Sequence, residues 1–308
     1  MEKAEGVSFG TFGELLQGSL PGESSEFLVT FPIDLYSRAL FSVGPGDDTL
    51  SVQPREKQKA LRLARRMLEH YQLPCRGRLE LISQIPEGKG LASSSADLVA
   101  TARALATCFG IPISYRELEA FLRAIEPTDG VMYPGVVSFF HQRVELGEHI
   151  GFLPRLTVLA IDEGGTVDTV EFNCKPKNYT DQEKAEYQSL LERIKDCIQR
   201  GDLQGLGQVT TRSAVLNQRI NPKRSLELML EVSLATGAFG VVTAHSGTCI
   251  GLLLSPEDAA YRAKLEEATA RLEVLSYPVE TYHAWSWRQG GGGLKGTGLD
   301  NPLWMGRV

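Results

Sequence analysis

The chain has 308 residues, of which 42% are hydrophobic and 23% charged, and its formal net charge at pH 7 is −6. This composition predicts a soluble protein with an ordinary packed core, and the chain is long enough for two domains. The acidic balance argues against a general nucleic-acid-binding protein and against a protein that binds membrane surfaces.

The five cysteines are scattered and form no C-x-x-C pair; they are Cys75, Cys108, Cys174, Cys197 and Cys249. An odd, scattered set is typical of reduced thiols. The first five residues are too polar for an export signal. No apolar run approaches the roughly 20 residues that cross a bilayer. We therefore expect a cytoplasmic protein.

The first half of the chain alternates predicted strands and helices. The expected elements are extended hairpin strands over 26–43, an amphipathic helix near 55–71, a strand at 79–85, a helix from the serines at 93–95 to about 109, and a helix that begins at a capping box over 114–117 and ends before Pro127. The helix near 55–71 carries many basic side chains, which we interpret as a solvated face because apolar residues recur at helical spacing.

A second domain is predicted to begin at residue 154, which divides the chain into 1–153 and 154–308. Its expected elements are a strand at 156–161, a helix capped at 180–183, helices at 203–218 and 225–236, strands at 239–244 and 249–254, a helix that starts at Ser255-Pro256, and a strand at 279–285. Several strands are neighbours in sequence, which favours an α+β fold over a doubly wound parallel sheet.

Residues 86–96 read Pro-Glu-Gly-Lys-Gly-Leu-Ala-Ser-Ser-Ser-Ala and lie between a predicted strand and a predicted helix. Free backbone N–H groups and the positive end of a helix dipole make such a loop an anion-binding site. No stretch of the chain supplies the G-x-x-x-x-G-K-[ST] loop. The dinucleotide fingerprint G-x-G-x-x-G is also incomplete, because Ser93 replaces its third glycine.

Two carboxylates three residues apart, Glu126 and Asp129, follow a predicted helix. Asp129 is a candidate to orient or deprotonate a substrate hydroxyl, and Glu126 is a candidate Mg²⁺ ligand. Glu117 and Glu119 compete with Glu126 for the metal. A turn without catalytic role is the alternative for this segment.

The segment Pro86 to Ser94 fits Pro-x-x-x-Gly-Leu-x-Ser-Ser, and it resembles the central phosphate-binding motif of the GHMP kinases. This family of small-molecule kinases includes galactokinase, homoserine kinase and mevalonate kinase. Residues 10–18, with Gly-Glu-Leu-Leu-Gln-Gly, look like the family's first motif in the form of its branch of L-threonine kinases of cobalamin biosynthesis. Residues 244–251, with His-Ser-Gly-Thr, look like the third motif, although the family's consecutive glycines are missing.

The resemblance implies a two-lobed α+β GHMP kinase fold, with an S5-domain-2-like N-terminal domain containing a left-handed crossover and a ferredoxin-like C-terminal domain. It implies that ATP binds in the cleft with its phosphates on Pro86, Gly88, Lys89, Gly90, Leu91, Ala92, Ser93, Ser94 and Ser95. It further implies Mg²⁺ on Ser94 and a glutamate, an acceptor hydroxyl activated by Asp129, and substrate contacts from Glu14, Gln17, His245, Ser246, Gly247 and Thr248. The implied acceptor is L-threonine or a related hydroxy amino acid, and the implied product is its O-phosphate.

Several alternatives stay open at this point. The same fold would suit a kinase for serine, homoserine or a small alcohol, or a nucleotide-dependent decarboxylase. It would also suit a non-catalytic sensor that binds a metabolite. His245 is either a substrate contact or a core histidine with satisfied hydrogen bonds. The glycine-rich tail and the oligomeric state receive no prediction.

Overall fold

The structure is a computed structural model, and it describes residues 2–167, 177–274 and 277–285. Cys174 and the glycine-rich tail lie outside the described residues. Cys75, Cys108, Cys197 and Cys249 are free thiols. None of the described helices is both long enough and apolar enough to cross a membrane.

The described strands are β1 (Glu2–Ser19), β2 (Glu26–Val43), β3 (Leu50–Gln53), β4 (Gly77–Ser83), β5 (Val136–Phe140), β6 (Glu145–Gly151), β7 (Thr157–Asp162), β8 (Gly240–Thr243), β9 (Cys249–Leu254) and β10 (Val279–His283). The described helices are α1 (Gln58–His70), α2 (Ser93–Phe109), α3 (Tyr115–Arg123), α4 (Asp181–Arg200), α5 (Leu203–Asn217), α6 (Leu226–Thr236) and α7 (Tyr261–Leu272).

One mixed sheet runs through the molecule in the order β10-β7-β9-β8-β1-β2-β4-β3, and β5 and β6 branch from β2. The long antiparallel pair β1–β2 forms its centre. Strand β1 also meets β8, where Glu14 is opposite Thr243, so the first strand joins the two halves of the sheet. Strands β3 and β4 are parallel and are connected through α1. This mixture of mostly antiparallel strands and helices confirms the predicted α+β class.

Helix α2 is buried on nearly every side, from Ser95 to Ala106, as expected for a helix that is apolar all round. It packs directly on β1, and the approach requires a glycine. A Cβ atom added to Gly6 would lie 2.2 Å from the carbonyl oxygen of Ala100. The sheet therefore fixes the helix whose first turn carries the three serines.

Most predicted elements are present, and both capping boxes form, with Ser114 bonded to Glu117 and Thr180 to Glu183. Strands β1, β3, β5 and β6 were not predicted; the four glycines of β1 conceal its strand character, because glycine is depleted in strands. The division of domains after residue 153 stays a prediction.

The predicted helix start at Ser255-Pro256 is wrong, because the helix begins at Tyr261. The Ser255 hydroxyl accepts the N–H of Glu257 at 3.2 Å, and the Asp258 carboxylate accepts the N–H of Ala260 at 2.8 Å. These side chains form local turns, which compete with the helix for the same backbone groups.

Candidate active site

A cavity of 740 Å³ opens at the N-terminus of α2. The lining residues come from several distant segments: Glu14; residues 56–60 and Arg62; residues 86–88, 90–95, Asp97 and Leu98; residues 126–129; His141; Thr166 and Val167; and Ser246. The predicted phosphate loop, the paired carboxylates and part of both glycine-containing motifs therefore meet in one cleft.

The carbonyl groups of the phosphate loop are held by the protein behind it. The oxygens of Gly88, Lys89, Gly90 and Leu91 accept hydrogen bonds from the backbone N–H groups of Val167, Thr248, Gly13 and Thr11, respectively, at 3.0 to 3.2 Å. In a planar trans peptide, the N–H points opposite to the C=O. The amides of residues 89–92 are therefore directed away from these donors.

None of the amides of residues 89–92 donates a hydrogen bond within the described part of the chain. Helix α2 begins directly after them, and its N-cap residue, Ala92, is left-handed with φ of 60° and makes no side-chain cap. The orphan donors and the helix dipole thus face the same region, which is an anion site of the type that holds phosphate groups.

Two glycines allow the loop to contact the turn between β8 and β9. A Cβ atom on Gly90 would lie 2.6 Å from the Cβ of Ala244, and one on Gly247 would lie 2.1 Å from the Lys89 carbonyl oxygen. Gly90 also has φ of +80°, which side-chain-bearing residues rarely adopt. The predicted third motif therefore supports the phosphate loop from behind.

Glu126 is buried at the start of α2 between a hydroxyl and an ammonium group. One carboxylate oxygen accepts a hydrogen bond from Ser94 Oγ, and the other binds Lys59 Nζ. Among the described residues, no group of three or more His, Cys, Asp or Glu side chains could hold a metal ion. Mg²⁺ is commonly held by one or two carboxylates together with substrate phosphates. The oxygens of Ser94 and Glu126 fit that type of donor set.

Asp129 is hydrogen-bonded to Ser95, which follows Ser94 in the first turn of α2. Its backbone N–H donates to Ser95 Oγ at 3.0 Å, and Ser95 Oγ donates to its Oδ2 at 3.2 Å. Burial and the nearby carboxylates of Glu14 and Glu126 raise the pKa of Asp129 to about 7, although the hydrogen bond from Ser95 opposes this rise. A pKa near neutrality suits a group that takes up a proton during catalysis.

Glu14 is held from the far side by His245. Its Oε2 accepts from the backbone N–H and interacts with the ring Nδ1 of His245, both at 2.9 Å. The ring Nε2 lies 2.8 Å from Ser213 Oγ, so both imidazole nitrogens have partners. His245 does not line the cavity. It positions Glu14, and the alternative of a core histidine with satisfied hydrogen bonds describes it better than a substrate contact.

Other predicted site residues also lie behind the cavity wall. Lys89 Nζ is 2.5 Å from Asp162 Oδ2, and Thr248 Oγ1 donates to Asp162 Oδ1 at 2.5 Å. The side chain of Lys89 is therefore engaged away from the cleft, which differs from the predicted contact with a phosphoryl oxygen. Gln17 and Gly247 likewise do not line the cavity, whereas Ser246 does.

The competing metal ligands, Glu117 and Glu119, are engaged elsewhere. Glu117 completes the capping box of α3. Glu119 Oε1 accepts from the Tyr133 hydroxyl at 2.9 Å and from the Leu146 N–H at 2.8 Å. Of the three glutamates, only Glu126 lines the cavity.

The interpretation of the basic run near 55–71 as a solvated face is wrong for its first two lysines. Lys57 Nζ lies 2.6 Å from the buried Asp97 and also binds Glu87, and Lys59 binds Glu126. Both lysines line the cavity. Helical spacing identified the apolar face of α1, but the two lysines lie at or before its first turn, where they reach acids that are distant in sequence.

The described chain matches two family models, GHMP kinases N terminal domain over residues 58–135 and GHMP kinases C terminal over residues 194–266. It is 30% identical to the L-threonine kinase of Citrobacter freundii over 79% of this chain and 83% of that protein. It is also 30% identical to the L-threonine kinase of Salmonella typhimurium, over 79% of this chain and 80% of that protein.

A solved homoserine kinase from Cytophaga hutchinsonii superposes with a TM-score of 0.69 and covers 93% of this chain and 95% of its own. Its sequence identity is 15%, so the match concerns the fold. Together with the two family models, this match confirms the predicted two-lobed GHMP kinase fold.

The raised pKa of Asp129 predicts a pH-dependent effect of Asp129→Asn on stability. The group is protonated in the folded state up to a pH of about 7, whereas in the unfolded chain it ionises from about 3.9. Its contribution to stability is therefore fully present below the unfolded pKa and is lost as the pH rises through the folded pKa. Relative to wild type, Asp129→Asn gains about 4 kcal/mol in the free energy of unfolding between about pH 4 and pH 8, because the pKa differs by about three units between the two states.

Urea unfolding at both pH values measures this difference. The exposed Asp48, in the turn after β2, provides the matched control Asp48→Asn, whose effect should not depend on pH in this way. An Asp129→Asn effect that is the same at both pH values would contradict a raised pKa.

Proposed function

We propose that this chain, which belongs to the GHMP kinase family and is an ATP-dependent phosphotransferase, acts on L-threonine. In the proposed reaction, the γ-phosphoryl group of ATP is transferred to the side-chain hydroxyl of L-threonine. The product is O-phospho-L-threonine, a precursor of the cobalamin side chain. The observation that carries this proposal is the meeting of an open anion site at α2 with Asp129 in a single cavity. The 30% identity to two L-threonine kinases supports the choice of acceptor.

The free amides of residues 89–92 and the N-terminus of α2 bind the phosphates of ATP. Phosphoryl transfer depends mainly on positioning and on stabilising negative charge, which oriented backbone dipoles provide without reorganisation. Ser93 contributes a further donor, because its buried hydroxyl has no hydrogen-bond partner within the described residues. The loop thus stabilises the negative charge of the phosphates during the transfer.

Ser94 and Glu126 would hold Mg²⁺, which would supply positive charge against the negative charge that develops during phosphoryl transfer. Glu126 is already bonded to Ser94 and to a cation, Lys59. Lys59 is about two-fifths exposed and lies on the first turn of α1, so it can leave the carboxylate for solvent or a phosphate oxygen. The same two oxygens would then face the metal ion.

Asp129 accepts the proton of the acceptor hydroxyl as the oxygen attacks the phosphoryl group. Ser95 orients its carboxylate through the two bonds described above. Burial and the carboxylate of Glu14, which is fixed by His245, keep the pKa of Asp129 high enough for proton uptake at neutral pH. Asp129 and Glu14 are therefore each fixed by a hydrogen-bonding neighbour, Ser95 and His245, respectively.

The charge around Asp129 favours an acceptor with a positive group. Glu14, Thr128, Asp129 and His141 all line the cavity, and the charge of Glu14 acts on both Asp129 and His141; we call these four residues the acceptor side. None of them is a cation, whereas the cationic lining residues of the described chain come from the 57–62 segment. An amino acid brings an ammonium group to these carboxylates, but a purely anionic alcohol would be repelled.

The acceptor assignment predicts that L-threonine stimulates ADP release in the presence of Mg²⁺. The measurement is an ADP-release screen across L-threonine, L-serine, L-homoserine and small alcohols, with detection of the phosphorylated product and of CO₂. L-Threonine should give the highest kcat/KM and no CO₂. ADP release at the acceptor-free rate with L-threonine would contradict the proposal, and release of CO₂ would favour a decarboxylase.

The base assignment predicts that Asp129→Asn lowers kcat by about two to four powers of ten while the affinity for ATP is kept, because the amide cannot take up the proton. In wild type, kcat/KM should rise with pH as Asp129 ionises, with a midpoint near its pKa of about 7. Initial rates across pH and ATP binding by calorimetry check both statements. Turnover near that of wild type or of Asp48→Asn would show that Asp129 is not the base.

A further inference from the structure

His141 directly follows β5 and is a buried side chain without a hydrogen-bond partner. It is 2% exposed, and neither Nδ1 nor Nε2 is bonded within the described residues. It nevertheless lines the cavity. An unsatisfied buried polar group costs about 1–3 kcal/mol, and native structures rarely keep one without a reason. We therefore expect the His141 ring to bind a ligand in the cavity.

A second unpaired group adjoins the first. Thr128 is also 2% exposed, lines the cavity, and has an unpaired Oγ1. Its backbone N–H donates to the His141 carbonyl oxygen at 3.2 Å, so the two residues are fixed together. Thr128 immediately precedes Asp129 in sequence, and both unpaired groups line the same cavity as the Asp129 carboxylate.

The surrounding charges indicate what kind of group binds there. Burial lowers the pKa of His141 to about 4, against the opposing carboxylates of Glu26 and Glu14 and with a contribution from Lys177. The imidazole is therefore neutral at physiological pH, and one ring nitrogen is an acceptor. Lys177 Nζ is bound to Glu26 at 2.7 Å, so its charge is largely balanced by that partner.

Glu14 adds a third acceptor. Its Oε2 is used by His245, whereas its Oε1 has no hydrogen bond within the described residues. An ammonium group has three N–H donors. A neutral ring nitrogen, a hydroxyl oxygen and a carboxylate oxygen match those three donors, whereas a carboxylate group would face the charge of Glu14.

We propose that His141 and Thr128, together with Glu14, bind the α-ammonium group of the acceptor and thereby select amino acids over hydroxy acids that lack it. This inference rests on the proposed function and specifies its recognition step. His141 and Thr128 are then specificity-determining residues. When they bind the ammonium group, the side-chain hydroxyl of the acceptor can contact the carboxylate of Asp129.

The test compares L-threonine with (R)-3-hydroxybutyrate, which is the same molecule without its amino group. In His141→Leu, the KM for L-threonine should rise about 10- to 100-fold, as expected for a lost hydrogen bond to a charged group, while kcat stays within about threefold of wild type. The KM of (R)-3-hydroxybutyrate, or its inhibition constant if it is not turned over, should not change. His141→Gln, which keeps an acceptor oxygen, should restore part of the affinity for L-threonine.

Two controls separate recognition from structure. The thermal midpoint of ligand-free His141→Leu should equal or exceed that of wild type, because the ring has no hydrogen bond to lose. His149, on β6, bonds to the Pro134 carbonyl oxygen at 2.8 Å and does not line the cavity, so His149→Leu should leave both KM values unchanged.

The outcomes distinguish this inference from the proposed function. If wild type phosphorylates L-threonine but His141→Leu keeps its KM, or weakens both ligands equally, the inference is wrong and the proposed function stands. If wild type prefers another hydroxy amino acid and His141→Leu raises its KM selectively, the inference stands with a different acceptor. If the preferred acceptor has no ammonium group, both are wrong.

Discussion

The geometry of the site depends on the way the phosphate loop is tied down by its carbonyl groups. Four successive carbonyl oxygens, from Gly88 to Leu91, are bound by backbone donors of β1, the 166–167 segment and the turn between β8 and β9. Because each peptide is planar, fixing the carbonyls also fixes the direction of the amides. The loop therefore needs no side chain to bind an anion, and its backbone is held by the protein itself.

The same contacts bring the carboxylates together. The N–H of Gly13, on β1, donates to the Gly90 carbonyl oxygen of the loop. The next residue of the strand, Glu14, lines the cavity on the acceptor side. On the other wall, Ser94 and Ser95 bond Glu126 and Asp129 to the first turn of α2. Three acids thus surround one helix end. Burial and the charges of the two neighbouring acids raise the pKa of Asp129 and so suit it to proton uptake. The same acids are the basis for proposing a positively charged acceptor.

The local parts of this arrangement were predictable from sequence. The loop, both capping boxes and the carboxylate pair of Glu126 and Asp129 are short-range patterns, in which a few neighbouring residues determine the outcome. Long-range partners were not predictable. Glu14 and His245 are 231 positions apart, and Lys59 and Glu126 are 67 apart, and no spacing rule connects such pairs.

His141 illustrates the same limit. Its sequence context, at the end of an unpredicted strand, contains no motif, and its significance comes from burial and from the absence of partners within the described chain. Conversely, Lys89 stands at the centre of a motif, but a salt bridge to Asp162 removes its side chain from the cleft. A motif fixes the backbone more reliably than it fixes the direction of a long side chain.

The central claim is that burial, together with the nearby carboxylate of Glu14, raises the pKa of Asp129 to about 7, so that a single aspartate can act as the base. The most direct measurement is a ¹³C NMR titration of the Asp129 carboxyl carbon, assigned through Asp129→Asn, in wild type and in Glu14→Gln. The account predicts a midpoint near 7 in wild type and a lower midpoint in Glu14→Gln, because one source of the raised pKa is removed. A midpoint near the ordinary aspartate value of about 4 in both proteins would contradict it.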